Sequence, residues 1–430
     1  GGGLHCRDSS PTLISVTIIN NTAGDVAGGI YLRDNCNPIL NNSIIWENTP
    51  QNIYFTTDNS PNNITITYSD LQGGQDSIVT NDNGTVTWGD GNIDVDPMFV
   101  DSANGNYHLL AFSQCINAGD PATIDSDGTV ADIGTYSYFN SYSGPTWYIS
   151  EAGNDTTATG ASDDPFRSIK AGINFSSDDD SVTVAAGTYV ENINFRGRSI
   201  KVVGQDRETT IIDGDSSGTV VMFDSGEDST AVLSGFTITN GAAENGGGIH
   251  LDQSSPSLYD LTVSQNTASS TGGGIYCYDQ SSPILKNSSV VNNSAGQHAG
   301  GIRCWNDSNI KLENVVIANN TASQFGGGMH CRNNSNPTLM NVTIINNNAD
   351  VFGGGIYLRS DSNPIIVNSI VWGNTPQNIY FRASDSPGNI TFSYSDLQGG
   401  QDSIVTNETG TVTWGDGNNV DIDPLFVDVD

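Results

Sequence analysis

Arginine and aromatic residues recur at a fixed spacing along the second half of this 430-residue chain. One column reads His250, Tyr276, Arg303, His330, Tyr357 and Tyr380, and a second, two residues further on in each copy, reads Asp252, Tyr278, Trp305, Arg332, Arg359 and Arg382. Near the start of the chain stand the counterparts His5, Tyr31 and Tyr54, with Arg7 and Arg33. Guanidinium groups pair with carboxylates and stack on aromatic faces. Arg, Tyr and Trp are also the residues enriched where proteins bind partners. The pattern predicts an outward binding stripe for something acidic, either another copy of the chain or an anionic glycan. The structural alternative is a ladder of cation–π contacts that only stabilises the stack.

Acidic loops form a second candidate. Hard cations take several oxygens from one flexible turn. "DSDGTVAD" places Asp125, Asp127 and Asp132 around Gly128, while "DGNIDVDP" and "DGNNVDIDP" place Asp90, Asp94, Asp96 and Asp416, Asp421, Asp423 in a matching pair of loops. Both predict Ca²⁺ binding. Neither completes an EF-hand pattern, and Asp also closes turns by bonding to its own backbone. No nucleophile or acid–base constellation stands out. His5, His250 and His330 share one repeat position, which points to stacking, and nothing interrupts the repeat to gather a special group of side chains. The sequence predicts no enzymatic activity, with a polysaccharide lyase or hydrolase as the alternative.

Net charge is −34, with only 14 Lys plus Arg. Nucleic acid needs a basic surface and is excluded as a partner on that ground. No stretch reaches the ~18 apolar residues of a membrane span. The chain opens in mid-pattern at "GGGLHC", which reads as a piece of a longer or processed protein.

The elements that must position these residues follow from the short repeat. Ile275, Ile302, Met329 and Ile356 each follow the glycines of a rung and lie 27 residues apart, a period that belongs to solenoids. Each rung reads as three short strands, near "GIYCY", "SPILKN" and "SSVVNN" in the rung from Gly272. Alternation points Ile275 and Cys277 inward and Tyr276 and Tyr278 outward. The inward position is Leu251, Cys277, Cys304, Cys331 and Leu358, with the three cysteines expected as free thiols, and Cys36 and Cys115 left unpaired by sequence alone. Two Asn columns mark corners: Asn287, Asn314, Asn341, Asn368, and Asn266, Asn293, Asn320, Asn347, Asn374. Glycines serve a corner where no Cβ fits. The expected fold is all-β, a right-handed parallel β-helix of ~27 residues per rung.

A longer repeat overlies the short one. "GGGLHCRDSSPTLISVTIINN" at the start matches "GGGMHCRNNSNPTLMNVTIINN" from Gly326, and Ile53 pairs with Ile379, an offset of 326. Residues 1–144 therefore read as the back of one module with its closing segment, and 145–430 as the next module, with a cap over 145–176 and rungs over 180–430. Within that cap, "PFRSIKAGI" from Pro165 predicts a short helix capped by Asp163 or Asp164, suited to plugging a solenoid end.

The segment "TWYISEAGNDTTATGASDDPFRSIKAGI", followed by "VTVAAGTYVENINFRGRSIKVVG", resembles the start of secreted bacterial right-handed β-helix proteins of the pectin-lyase-like superfamily. The "GGGIY" rungs with their "NVTI" strands are similar to repeats of chlamydial polymorphic outer-membrane proteins and other surface adhesins, and "NYHLLAFSQCINAGDPATIDSDGTVADIGTYSY" resembles the closing segment of such modules. The resemblance implies an extracellular or cell-surface location. It covers enzymes of acidic polysaccharides, adhesins and structural proteins alike. Combined with the tandem repeat, it leads to an expected structural role, a stalk, surface fibre or filament built by self-association, with a polysaccharide-binding adhesin as the alternative.

Overall fold

The chain is described by a computed structural model covering residues 1–57, 60–383, 386–408, 410–415 and 419–427. It divides into two compact units, the first Gly1–Ser143 with Asn154–Gly160, the second Gly144–Gly153 with Ala161–Asp430. Each is built of parallel strands stacked rung upon rung, and the fold is a right-handed parallel β-helix.

In the second unit one eight-stranded sheet runs from Ile193–Asn194 through Ile275–Tyr278, Ile302–Trp305, Met329–Arg332 and Ile356–Arg359 to Ile379–Phe381. Register is direct: Ile275 lies beside Ile302, Cys277 beside Cys304, Arg303 beside His330. Like therefore stacks on like, and the inward Ile302, Cys304, Met329, Cys331, Ile356 and Leu358 are all buried. Each such aliphatic side chain contributes about 1.5–3 kcal/mol of burial.

The second and third strands expected from sequence are joined in five rungs of the second unit. Ile284–Val291, Lys311–Ala318 and Thr338–Ile345 are continuous eight-residue strands. Each bends at an asparagine in the left-handed region, Asn287 (φ 51°), Asn314 (57°) and Asn341 (57°). Asn reaches that region at less steric cost than most residues, so the strand turns a corner there and resumes pairing at the next residue, Ser288 beside Val315 and Val315 beside Val342. A short five-stranded sheet, from Ala242–Asn245 to Asn348–Ala349, closes the rung.

The other Asn column does different work. Its members are buried, and the residue before each takes the positive φ, as in Asn292 (56°) and Asn319 (56°). The Asn293 amide nitrogen donates to Asn320 Oδ1 at 3.0 Å, and Asn320 donates to Asn347 Oδ1 at 2.9 Å. Each Oδ1 also accepts the backbone N–H of the Asn one rung earlier. The ladder thereby satisfies buried backbone groups at a corner that water cannot reach. Glycine is required at the next corner: Gly272 and Gly326 have φ of 69° and 71°, and a Cβ on Gly273 would stand 2.3 Å from the Ser294 carbonyl oxygen.

The helix of the second unit is Ile169–Phe175, later than expected, and its cap is Ser168, whose hydroxyl accepts from the Ala171 N–H at 3.2 Å. Asp163 and Asp164 are not the cap, because Phe166 is held in extended backbone beside Ile149. Ile169 and Ile173 are buried, and Phe166 and Phe175 pack with Trp147.

In the first unit, Leu4–Arg7, Ile30–Arg33 and Ile53–Phe55 form the equivalent of the eight-stranded sheet. Cys6 and Cys36 form a disulfide with Cα atoms 6.0 Å apart. Cys115, Cys277, Cys304 and Cys331 are free and buried.

Candidate functional site: the arginine and aromatic columns

The two columns of the stripe part company in the structure. The first is not the solvent-facing row that alternation predicts: Tyr276 is 4% exposed, Arg303 1%, His330 0% and Tyr357 2%. Only its ends, His250 and Tyr380, are half-buried. What covers it is a third column that the sequence reading passed over, His298, Phe325 and Phe352, linked rung to rung by single bridges. Phe325 stacks on Tyr357 with ring centroids 4.8 Å apart, Phe352 stacks on Tyr380 at 4.3 Å, and His298 meets His330 edge-on at 5.2 Å. The signal was available, since these three residues also repeat every 27 positions just ahead of the glycines. Outward side chains can be covered by a neighbouring corner of the same rung, which strand alternation alone does not reveal.

Burial governs the chemistry beneath the cover. Desolvation, then the charge of Arg303, pushes the His298 imidazole down to about 4 and His330 well below the ordinary histidine range. Both rings are therefore neutral at pH 7. Desolvation also lowers Arg303 to about 10, which leaves it charged.

The second column stays in reach of solvent. Tyr278, Trp305, Arg332, Arg359 and Arg382 are all half-buried. The guanidinium carbons of Arg303 and Arg332 lie 5.4 and 5.3 Å from the centre of the Trp305 ring, and Tyr278 meets Trp305 at 5.5 Å. The first unit fills the equivalent place with a charge clamp: the Asp34 carboxylate takes Arg7 at 2.8 Å and Arg33 at 3.2 Å. Ser360 stands at the Asp34 position in the second unit.

The acidic loops are committed to their own backbone. Asp125 Oδ2 accepts the Asp132 N–H, Asp127 accepts from Thr129 and Asn140, and Asp132 accepts from Asn117 at 2.7 Å and Tyr138 at 2.6 Å. In the second pair of loops, Asp94 accepts from Gly73, Asp96 from Met98, Asp421 from Gly399 and Asp423 from Leu425. Asp90 contributes its carbonyl to Tyr68, and Asp416 lies outside the described residues. Among the described residues no three His, Cys, Asp or Glu side chains are grouped to hold a metal ion. These loops fit turn closure better than coordination. Burial raises Asp132 to about 7, and likewise Asp70, which is fully buried with Oδ2 3.4 Å from the Cys115 thiol.

Comparison with known proteins agrees with this architecture. A family model for the right-handed beta helix region matches residues 248–423. No curated protein matches the sequence. Two solved structures are similar: the pectate lyase Pel9A, at 14% identity and a TM-score of 0.43, over 64% of this chain and 78% of that one; and a pectin methylesterase mutant in complex with a hexasaccharide, at 11% identity and a TM-score of 0.23, over 59% and 78%. Both neighbours are enzymes, so the expectation that the chain has no enzymatic activity is withdrawn. At these scores the two likenesses assign it no reaction. No helix among the described residues is long and apolar enough to cross a membrane.

Proposed function

We propose that this chain is an extracellular β-helix whose second unit binds acidic polysaccharide along Tyr278, Trp305, Arg332, Arg359 and Arg382. The observation that carries this reading is the half-buried Trp305 ring held against the half-buried Arg332 guanidinium, in a chain of net charge −34. An indole face takes the C–H face of a sugar ring, and fixed guanidinium groups take its carboxylates in bidentate geometry. The Cys6–Cys36 disulfide supports an oxidising, extracellular setting. A second reading, a fibre built by self-association, rests on the 326-residue repeat, which presents the same surfaces at regular intervals.

Affinity electrophoresis and calorimetry against polygalacturonate and a neutral galactan test the first reading, with chain length of the polymer followed in the same samples. Preferential binding of the acidic polymer, lost at least tenfold in the Arg332→Ser, Arg359→Ser double variant with unchanged circular dichroism, is the expected outcome. Equal binding of both polymers, or of neither, overturns it. Electron microscopy then decides the second reading, which requires filaments with an axial period of one module.

A further inference from the structure

Under the cover of the second unit lies a positive charge with no carboxylate to meet it among the described residues. Arg303 is 1% exposed, yet its Nε and Nη1 have no hydrogen-bond partner, and neither do Nδ1 and Nε2 of the fully buried His330 or Nδ1 of His298. No carboxylate pairs with Arg303 among the described residues. The groups that bear most on its charge are Tyr276, Arg332, Cys331 and Cys304, and none of these is a carboxylate. Arg303 lies beside His330 in the sheet, and His330 packs against His298, so the unsatisfied nitrogens belong to one cluster. A buried guanidinium without a counter-ion costs several kcal/mol, and unmet N–H groups add to that. A protein interior of this kind normally supplies a partner.

We propose that the second unit holds one small monovalent anion, a halide or a formate-sized carboxylate, against Arg303 Nε and Nη1, with an imidazole N–H of His330 or His298 as a further donor. The depth of burial sets the size limit: Arg303 and His330 lie beneath the His298–Phe325–Phe352 column, so the proposed ligand is an ion of a few atoms and not a sugar. The site adjoins the polysaccharide surface proposed above through the contact of Arg303 with Trp305, but Arg303 is buried and is not part of that surface, so neither proposal depends on the other.

The test uses the whole chain. Melting is followed in bromide, chloride and formate at constant ionic strength, with gluconate, too large for the site, as the balancing salt. Crystals grown in bromide are measured at the bromine absorption edge. A saturable rise in melting temperature, on the order of 5 °C at high occupancy, together with an anomalous peak at Arg303, is the expected result. A response to halides alone or to formate alone identifies which small anion the site takes. Arg303→Met removes the dependence on anion identity. Should that variant fail to fold, His298→Phe, which continues the Phe325–Phe352 column, weakens the response severalfold. A water or a protein oxygen on Arg303 Nε and Nη1 with no anomalous peak, or melting that ignores the identity of the anion, overturns the proposal.

Discussion

The two copies of the long repeat solve one packing problem with different residues. Both carry the buried Asn ladder and end it the same way, Asn48 donating to Asn52 and Asn374 to Asn378, each at 2.9 Å. At the inward cysteine they diverge. Cys6 bonds to Cys36, whereas its counterpart Cys331 faces a rung in which Ser362 replaces Cys36, and it stacks beside Cys304 as a free thiol. They diverge again at the arginines, where Asp34 clamps Arg7 and Arg33 but Ser360 stands in the second copy. Near the glycine corner, Val26 replaces the Phe352 that stacks on Tyr380. The backbone course depends on the shared asparagines and glycines. What each column does with charge and sulfur depends on single residues hung on that course.

The largest expected effect separates the units by pH. Asp70 and Asp132 in the first unit have folded-state pKa values of about 7, above the 3.8 of an exposed aspartate, so the folded unit holds protons that the unfolded chain has released. Stability is full below about pH 4 and falls as pH rises toward 7, by up to about 1.4 kcal/mol per pH unit for each carboxyl. The counterpart Asp396 is raised too but is only half-buried. Hydrogen exchange at pH 5 and 8 is expected to show the first unit loosening selectively, and Asp70→Asn with Asp132→Asn to abolish that trend. A first unit tighter at pH 8 contradicts the assignment.

Next comes the feature the copies share. Asn320→Ala strips the acceptor from the N–H and side-chain amide of Asn293, a loss of about 3–4 kcal/mol. Asn48→Ala is expected to cost the first unit a similar amount, because Asn21 loses the same two bonds. Denaturant titration showing either change below about 1 kcal/mol would remove the ladder as the common support.

The cysteine difference is reversible by design. Cys36→Ser is expected to cost the first unit about 2–3 kcal/mol, as does reduction of the parent. Ser362→Cys is expected to create a bond to Cys331, read on denaturing titration as three free thiols of the variant's seven cysteines, where the Cys6–Cys36 bond alone would leave five. Five thiols in the unreduced Ser362→Cys variant would show that the copies differ in backbone as well as in sequence.

The smallest change in stability comes from Ser360→Asp, which gives the second unit the carboxylate of the first. Exposed ion pairs contribute under about 1 kcal/mol, so the melting temperature is expected to move little while affinity for polygalacturonate drops severalfold. Unchanged affinity would detach the arginines from polysaccharide binding. Chelation of divalent cations is expected to leave both units unaffected, since the loop carboxylates are already taken by backbone N–H groups.

The sequence alone determined the fold, because a β-helix is close to one-dimensional: each rung contacts its neighbours, so the 27-residue period, the inward Ile and Cys, the asparagine columns and the glycine corners are written locally and repeatedly. It located the stripe for the same reason, and could not tell that half of it is covered. That cover depends on which corner folds over which strand. His298 meets His330 and Phe325 stacks on Tyr357, each 32 residues further along, and the 27-residue period does not announce those contacts. The pairing of Cys6 with Cys36, the join of the second and third strands at Asn287, and the burial of Asp70 against Cys115 were likewise decided only in three dimensions. The disulfide and the Asp70–Cys115 contact depend on distances between segments far apart in the chain, and periodicity carries no information about a contact that occurs once.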